Sequence, residues 1–261
     1  MEFNMTKAIK LKVDINKESS EIGIFDTKLG GAGFYEKDKG IPTEESGDQL
    51  RLLIQVNYSQ LRKAVELPTE LDDKLPKSGL LQIWVSTDDL AGCDCDNPCN
   101  QDGFRVIYYT EEQLVEWQLK SDFKQAEVPT QYADDNMFPV TDNAEYALNY
   151  EIVDSESTSD YRGLEAKYTD EKELSQVYNR ECGHKIGGYP YFVHVLYDIR
   201  EEIENDDHDF LLIQVDSDFI NGKDIVIWGD AGCSQFFINS EKLKNLDFSD
   251  VIYNWACGSC S

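Results

Sequence analysis

The sequence is poor in cations, in histidine and in long apolar runs. It holds 24 Lys and Arg against 51 Asp and Glu, a formal net charge of −27. Affinity for nucleic acid draws on cations that displace its counterions, and an anionic membrane surface attracts the same residues. This chain presents the opposite field, which excludes nonspecific binding to DNA or RNA and docking on an anionic bilayer. No stretch of about 18 consecutive apolar residues occurs, so no membrane-spanning helix is expected. Residues 1–14 carry three lysines among scattered aliphatic residues, with neither a continuous apolar segment nor a small-residue cleavage site. They do not read as a secretory signal, and the expected compartment is the cytoplasm.

Catalytic signatures are missing too. There is no phosphate-binding G-x-x-x-x-G-K-[ST], no G-x-G-x-x-G, no H-E-x-x-H and no G-x-S-x-G. The three histidines are His184, His194 and His208. His208 sits in the acidic run Glu204–Asp209 and reads as solvated. His194 falls in an apolar run and reads as buried, and nothing pairs either one with a nucleophile. No residue is therefore assigned a catalytic role, and no cofactor is expected.

Seven cysteines, an odd number without an export signal, read first as reduced thiols. Cys93, Cys95 and Cys99 share a turn-rich segment, and Cys257 and Cys260 form Cys-Gly-Ser-Cys. Together they could supply four sulfurs to a zinc ion, but Cys-x-Cys-x3-Cys is not the spacing of a zinc knuckle. A redox role for Cys257 and Cys260 would need a helix after them, for which no residues remain. No metal ligand is assigned.

What the chain does contain is a set of phrases that recur in order. Lys28-Leu29-Gly30-Gly31 resembles Lys185-Ile186-Gly187-Gly188. Leu52–Asn57 resembles Leu211–Asp216, Leu81–Trp84 resembles Ile225–Trp228, and Arg105–Tyr109 resembles Asp250–Asn254. An ordered set of four points to a tandem duplication, with one connecting loop, Tyr58–Ser78, longer in the first copy. Continuous apolar runs at Leu52–Asn57, Leu80–Val85, Phe104–Tyr109, Phe210–Asp216, Asp224–Gly229, Gln235–Ile238 and Asp250–Trp255 predict strands buried on both faces. Helices are predicted over Glu111–Lys120 and Asp170–Arg180, the latter with an Asp170/Glu173 capping box. A strand is predicted over Ala144–Val153, and loops over Val128–Asp142 and Asp154–Asp160.

The expected fold is α+β and internally duplicated, with two related mostly-β halves packed on a shared core with a few helices. The expected organisation is one compact domain over 1–261. The first repeat takes 20–110, a connecting region 111–180 and the second repeat 181–256.

The phrases Lys185–Pro190, Leu211–Asp218, Ile227–Gly232 and Phe248–Trp255, with their first-copy counterparts, resemble the bacterial YwqG-like family of unknown-function proteins. The resemblance covers roughly 26–110 and 165–256. It implies an intracellular bacterial α+β protein with an internal duplication, no established catalytic residues, and a role as immunity protein or toxin partner. The cysteine-rich turn is not part of the family pattern.

The paired Lys-x-Gly-Gly turns are the best candidate ligand sites. Lys28 with Gly30 and Gly31, and Lys185 with Gly187 and Gly188, could present N–H groups and a cation to an anion. The plainer alternative is a tight turn whose lysine is solvated or paired with a carboxylate. Trp84 and Trp228, in matched phrases beside Asp88–Asp89 and Asp230, could line a cleft or simply cap the core. The leading functional expectation is a noncatalytic binding protein whose acidic surface meets a basic protein. Alternatives are an enzyme or small-ligand receptor using a cleft between the copies, and an immunity protein against a basic toxin.

Overall fold

The computed structural model describes residues 5–120, 123–126, 138–158, 167–193, 198–203 and 206–258. The first half of the chain runs β1 (Met5–Val13), β2 (Lys28–Gly30), β3 (Phe34–Glu36), β4 (Arg51–Asn57), α1 (Tyr58–Ala64), α2 (Thr69–Asp72), β5 (Leu80–Val85) and β6 (Phe104–Tyr109). Then come α3 (Glu111–Lys120), β7 (Phe123–Gln125), β8 (Glu145–Glu156), α4 (Glu171–Glu181) and β9 (Lys185–Gly187). The rest is β10 (Phe210–Asp216), β11 (Asp218–Ile220), β12 (Lys223–Val226), β13 (Cys233–Ile238), α5 (Ser240–Lys244) and β14 (Val251–Ala256). The protein is mostly β with a few helices. Among the described residues no helix is long and apolar enough to cross a membrane.

One ten-stranded sheet dominates, in the order β14-β13-β10-β9-β1-β8-β2-β4-β5-β6. At its centre β1 and β8 pair antiparallel from Met5↔Glu156 to Val13↔Leu148. Outward from that pair the sequence β9-β10-β13-β14 on one side mirrors β2-β4-β5-β6 on the other. The two central strands pair outward with strands remote from them in the chain. β1 pairs with β9, from the far end of the chain, and β8 pairs with β2.

Register makes the correspondence specific. Gln55 on β4 faces Gln82 on β5, and Gln214 on β10 faces Gln235 on β13. Each β4–β5-type pair carries a bulge at the same place, between Leu52 and Ile54 in one and between Leu211 and Ile213 in the other. The continuous apolar runs have a simple origin, because both faces of these strands are covered. Leu53 and Leu212 enter the main core. Their neighbours Leu52 and Leu211 enter separate small clusters on the opposite face, with Trp84 and Phe237 respectively.

The main core draws on both sides of the sheet, from Leu53, Val56 and Ile83 to Leu212, Val215 and Phe236. The two outer strands meet across it. Phe104 on β6 lies 5.2 Å from the ring of Tyr253 on β14 and 6.0 Å from that of Phe236.

Several sequence expectations need correction. Register pairs β5 with β13 as counterparts, so Trp84 corresponds to Phe237, not to Trp228, which follows β12. The outermost strands align as Ile107 with Asn254, two positions away from the match read in the sequence. Tyr58–Ser78 is not a plain loop but contains α1 and α2, with Asn57 capping α1 by accepting the Gln60 N–H at 3.0 Å. Strand β8 continues through Asp154 to Glu156, where a polar loop was expected. Residues 5–13, given no element in the sequence reading, form a central strand. The α4 N-cap is Asp170, which accepts from Lys172 N, with no reciprocal bond from Glu173. The expected loop Val128–Asp142 lies outside the described residues up to 137, as does His194.

Candidate functional site

The two Lys-x-Gly-Gly turns face inward. Lys28 Nζ donates to Glu145 Oε2 at 2.9 Å and to the carbonyl of Ala32, four residues on, at 2.9 Å. Lys185 Nζ donates to Glu181 Oε2 at 2.6 Å and to the carbonyl of Tyr189, again four residues on. The carboxylates come from different elements, the start of β8 in one case and the last turn of α4 in the other. Burial pushes the Lys185 ammonium below its ordinary value, against the pull of Glu181.

Each lysine is braced by a buried glutamine in the same pattern. Gln55 Nε2 donates to the carbonyls of Ile24 and Asp26 at 2.9 and 2.8 Å, four and two residues before Lys28. Gln214 Nε2 donates to Glu181 and Gly183 at 2.9 and 2.8 Å, four and two residues before Lys185. These bonds answer the requirement that a glutamine in an apolar run be satisfied.

The glycines do what a left-handed turn needs. Gly30, Gly31, Gly187 and Gly188 have φ of 61°, 70°, 66° and 72°. A Cβ on Gly31 would strike the Glu145 side chain, and one on Gly188 would strike Ser155 and Ala8. The turn thus lets the backbone close on the sheet's central strands, and its lysine is spent on internal partners.

Trp84 and Trp228 are both buried. Trp84 Nε1 donates to Gln82 Oε1 at 3.1 Å, and its ring fills the space that Gly33 leaves open. Trp228 packs on Trp255 at 5.7 Å and Tyr253 at 6.5 Å. Surface concavities occur along Gly23–Asp26 with α1, and beside Gln101 and Phe248, but neither is lined by these tryptophans or by Lys28 or Lys185.

The cysteine-rich turn has a structural task that sequence reading missed. Residues 90–101 lie across the edge of β14. Tyr253 N donates to Pro98 O at 2.9 Å, Tyr253 Oη to Ala91 O at 2.9 Å and Trp255 Nε1 to Leu90 O at 2.6 Å. Gln101 Nε2 reaches Phe248 O at 2.8 Å. This clasp bridges the seam between the outer strands and blunts an open sheet edge. Gly92 and Gly103 let it fold, since a Cβ on Gly92 would sit 1.8 Å from Gly103 O. Cys93, Cys95, Cys99, Cys182 and Cys233 are free thiols, whereas Cys257 is disulfide-bonded, which corrects the expectation of reduced thiols at that residue. Its neighbour Cys260 lies outside the described residues.

At the foot of the clasp, Cys99, His208 and Asp250 place their donor atoms within 4.8 Å of one another. His208, which reads as solvated from its acidic flanks, is buried. Its Nδ1 lies 2.7 Å from Asp206 Oδ1 and its Nε2 lies 3.2 Å from Asp250 Oδ1. Burial, then the charge of Asp250, pushes the Cys99 thiol up to about 11. Burial would raise the Asp250 carboxyl, but the Lys242 hydrogen bond and the nearby His208 hold it below the usual carboxylate range. No spacing signal links these three residues, because they come from the clasp, the approach to β10 and the approach to β14.

No curated protein matches the chain. Over residues 27–257, from just before β2 to just after β14, it matches the family described as Domain of unknown function (DUF1963). With all but β1 of the large sheet inside that match, the chain belongs to the DUF1963 family, which also holds the YwqG-like proteins.

Proposed function

We propose that this is a noncatalytic binding protein of the bacterial cytoplasm, whose acidic surface engages a basic protein. The observation that carries the reading is the net charge of −27 together with the placement of the two candidate ligand-binding lysines. Lys28 and Lys185 are buried and neutralised by Glu145 and Glu181, so they do not offset the acidic exterior. Exposed acids gather at Glu45 and Asp48, at Glu70 and Asp73, and at Glu201, Asp207 and Asp209. Complementary potential speeds encounter and makes binding fall steeply with salt. A second form of this reading, for which the resemblance to YwqG-like proteins is the support, is an immunity protein against a basic toxin. The matched strand orders, bulges and lysine networks support an origin by tandem duplication, with units over about 5–109 and 145–256 that together form one domain.

The test is affinity capture from lysate of the source cell at low and at raised ionic strength. Basic proteins retained at low salt and released as salt rises are the expected result. Retention of none, or retention that ignores ionic strength, ends the proposal.

A further inference from the structure

We propose that Cys99, His208 and Asp250 form a mononuclear site for a divalent transition-metal ion of the zinc class, which fastens the clasp to the second side of the sheet. Thiolate, imidazole and carboxylate are the donor set that zinc accepts, and three protein ligands leave a fourth position for water. In a tetrahedral site with such bonds, neighbouring donor atoms lie about 3.5 Å apart. His208 Nε2 and Asp250 Oδ1 are already at 3.2 Å, and all three donors are within 4.8 Å. The site thus needs an adjustment of about 1 Å, and the ligand on the half-buried clasp turn, Cys99, is the one placed to make it.

The surroundings prepare the ligands. Asp206 Oδ1 holds His208 Nδ1 at 2.7 Å and also accepts the His208 backbone N–H at 3.0 Å. A carboxylate behind an imidazole fixes the tautomer, so that Nε2 carries the lone pair. Arg200 donates to His208 O at 3.3 Å and stacks on Phe237 at 4.3 Å, which pins the segment leading into β10. Lys242 pairs with Asp250 Oδ2, leaving Oδ1 for the ion. With a dication, the thiolate and the Asp250 carboxylate balance the metal, and Asp207 and Asp247 remain near Lys242. On binding, the Cys99 S–H proton leaves for solvent as the S–metal bond forms, and nothing is oxidised or reduced.

The competing account is an imidazolium held between Asp206 and Asp250 with no metal. The two are separated by titrating the full-length protein, freed of metal with a chelator, with Co²⁺ and then Zn²⁺. The expected result is one equivalent of cobalt giving a sulfur-to-cobalt charge-transfer band and the intense visible bands of four-coordinate cobalt, both bleached by zinc. Cys99→Ser removes the charge-transfer band, while Cys95→Ser and Cys257→Ser leave it. Asp206→Asn, which alters positioning and no ligand, keeps the band and weakens affinity about 10- to 100-fold. Absence of a stoichiometric cobalt spectrum in the unsubstituted protein overturns the proposal. So does a band that survives Cys99→Ser or disappears with Cys95→Ser or Cys257→Ser.

Discussion

Lys28 and Lys185 make the same bonds in different surroundings. Each gives one hydrogen bond to the carbonyl four residues on and one to a carboxylate, and each sits behind a glutamine tied to the carbonyls two and four residues before it. On the first side the partner Glu145 keeps 19% of its side chain exposed, whereas on the second side Glu181 keeps 1%. The backbone pattern is therefore common to the two sides while the electrostatic environment is not. A buried ion pair is held together by the cost of leaving either partner alone, and that cost scales with how completely water is excluded. The two halves also differ one strand inward. Lys10, opposite Lys185, adds a second cation on one side, and Ala147, opposite Lys28, adds none on the other.

The largest test of this contrast is to remove each lysine. Lys185→Met takes away the Glu181 carboxylate's direct ion partner, leaving it buried on the Ser155 Oγ and Glu156 N hydrogen bonds with Lys10 nearby, and is expected to cost about 3–5 kcal/mol. Lys28→Met leaves Glu145 able to rehydrate and is expected to cost about 1–2 kcal/mol. Urea unfolding of the two variants reads the difference directly, and equal losses would break the comparison.

A smaller effect separates the two turns. In Gly30→Ala the new methyl would meet the Ala144 carbonyl oxygen at 2.5 Å, a backbone atom that cannot step aside. In Gly187→Ala it would meet Leu71 Cδ2 at 2.8 Å, the end of a flexible side chain. Both residues have φ above 60°. The expected losses are about 2–3 kcal/mol for Gly30→Ala and about 1–2 kcal/mol for Gly187→Ala. Thermal unfolding that ranks them the other way would show that the first turn is the softer one.

The smallest effect is one of pH, and it belongs to the second side alone. Burial, with Lys185 adding to it, pushes Lys10 down from 10.5 to about 8. Below pH 8 both folded and unfolded chains carry that proton, and the folded state bears the cost of the buried cation. Between pH 8 and 10.5 the folded chain has released it while the unfolded chain has not, so stability rises with pH across this window. Discounted for partial exposure, the gain is about 1–2 kcal/mol. Cys182, pushed up by burial from 9.0 to about 11, has the opposite slope above pH 9. The readout is thus the difference between the unsubstituted protein and Lys10→Met, and a flat difference curve refutes the assignment.

Much of the sheet was legible in the sequence because its strands are covered on both faces. Leu80–Val85, Phe104–Tyr109 and Phe210–Asp216 end where their apolar runs end. Strand β1 was not legible, since Lys7, Lys10 and Lys12 interrupt it. Their partners Asp154, the Cys182 carbonyl and Glu151 lie some 140–170 residues away, and no local pattern announces them. The Trp84–Trp228 match failed for a different reason. Residues Ile225–Trp228 imitate the composition of β5, but the register of β10 is taken by β13. Lys28 and Lys185 were legible as a related pair, while their burial was not, because Glu145 and Glu181 occupy unrelated places in the sequence. The cluster of Cys99, His208 and Asp250 is a product of tertiary structure alone.

The long-range pairing of the two central strands has a consequence for synthesis. β2 has no neighbour on its inner side until β8 emerges more than a hundred residues later, and β1 waits longer still for β9. Neither side of the sheet can close from its own contiguous residues, so the nascent chain carries unpaired strand edges through most of its translation. Contacts of such sequence separation fold slowly. The acidic loops that surround the finished sheet would then serve first as mutual repulsion between unfinished chains, before any partner is met.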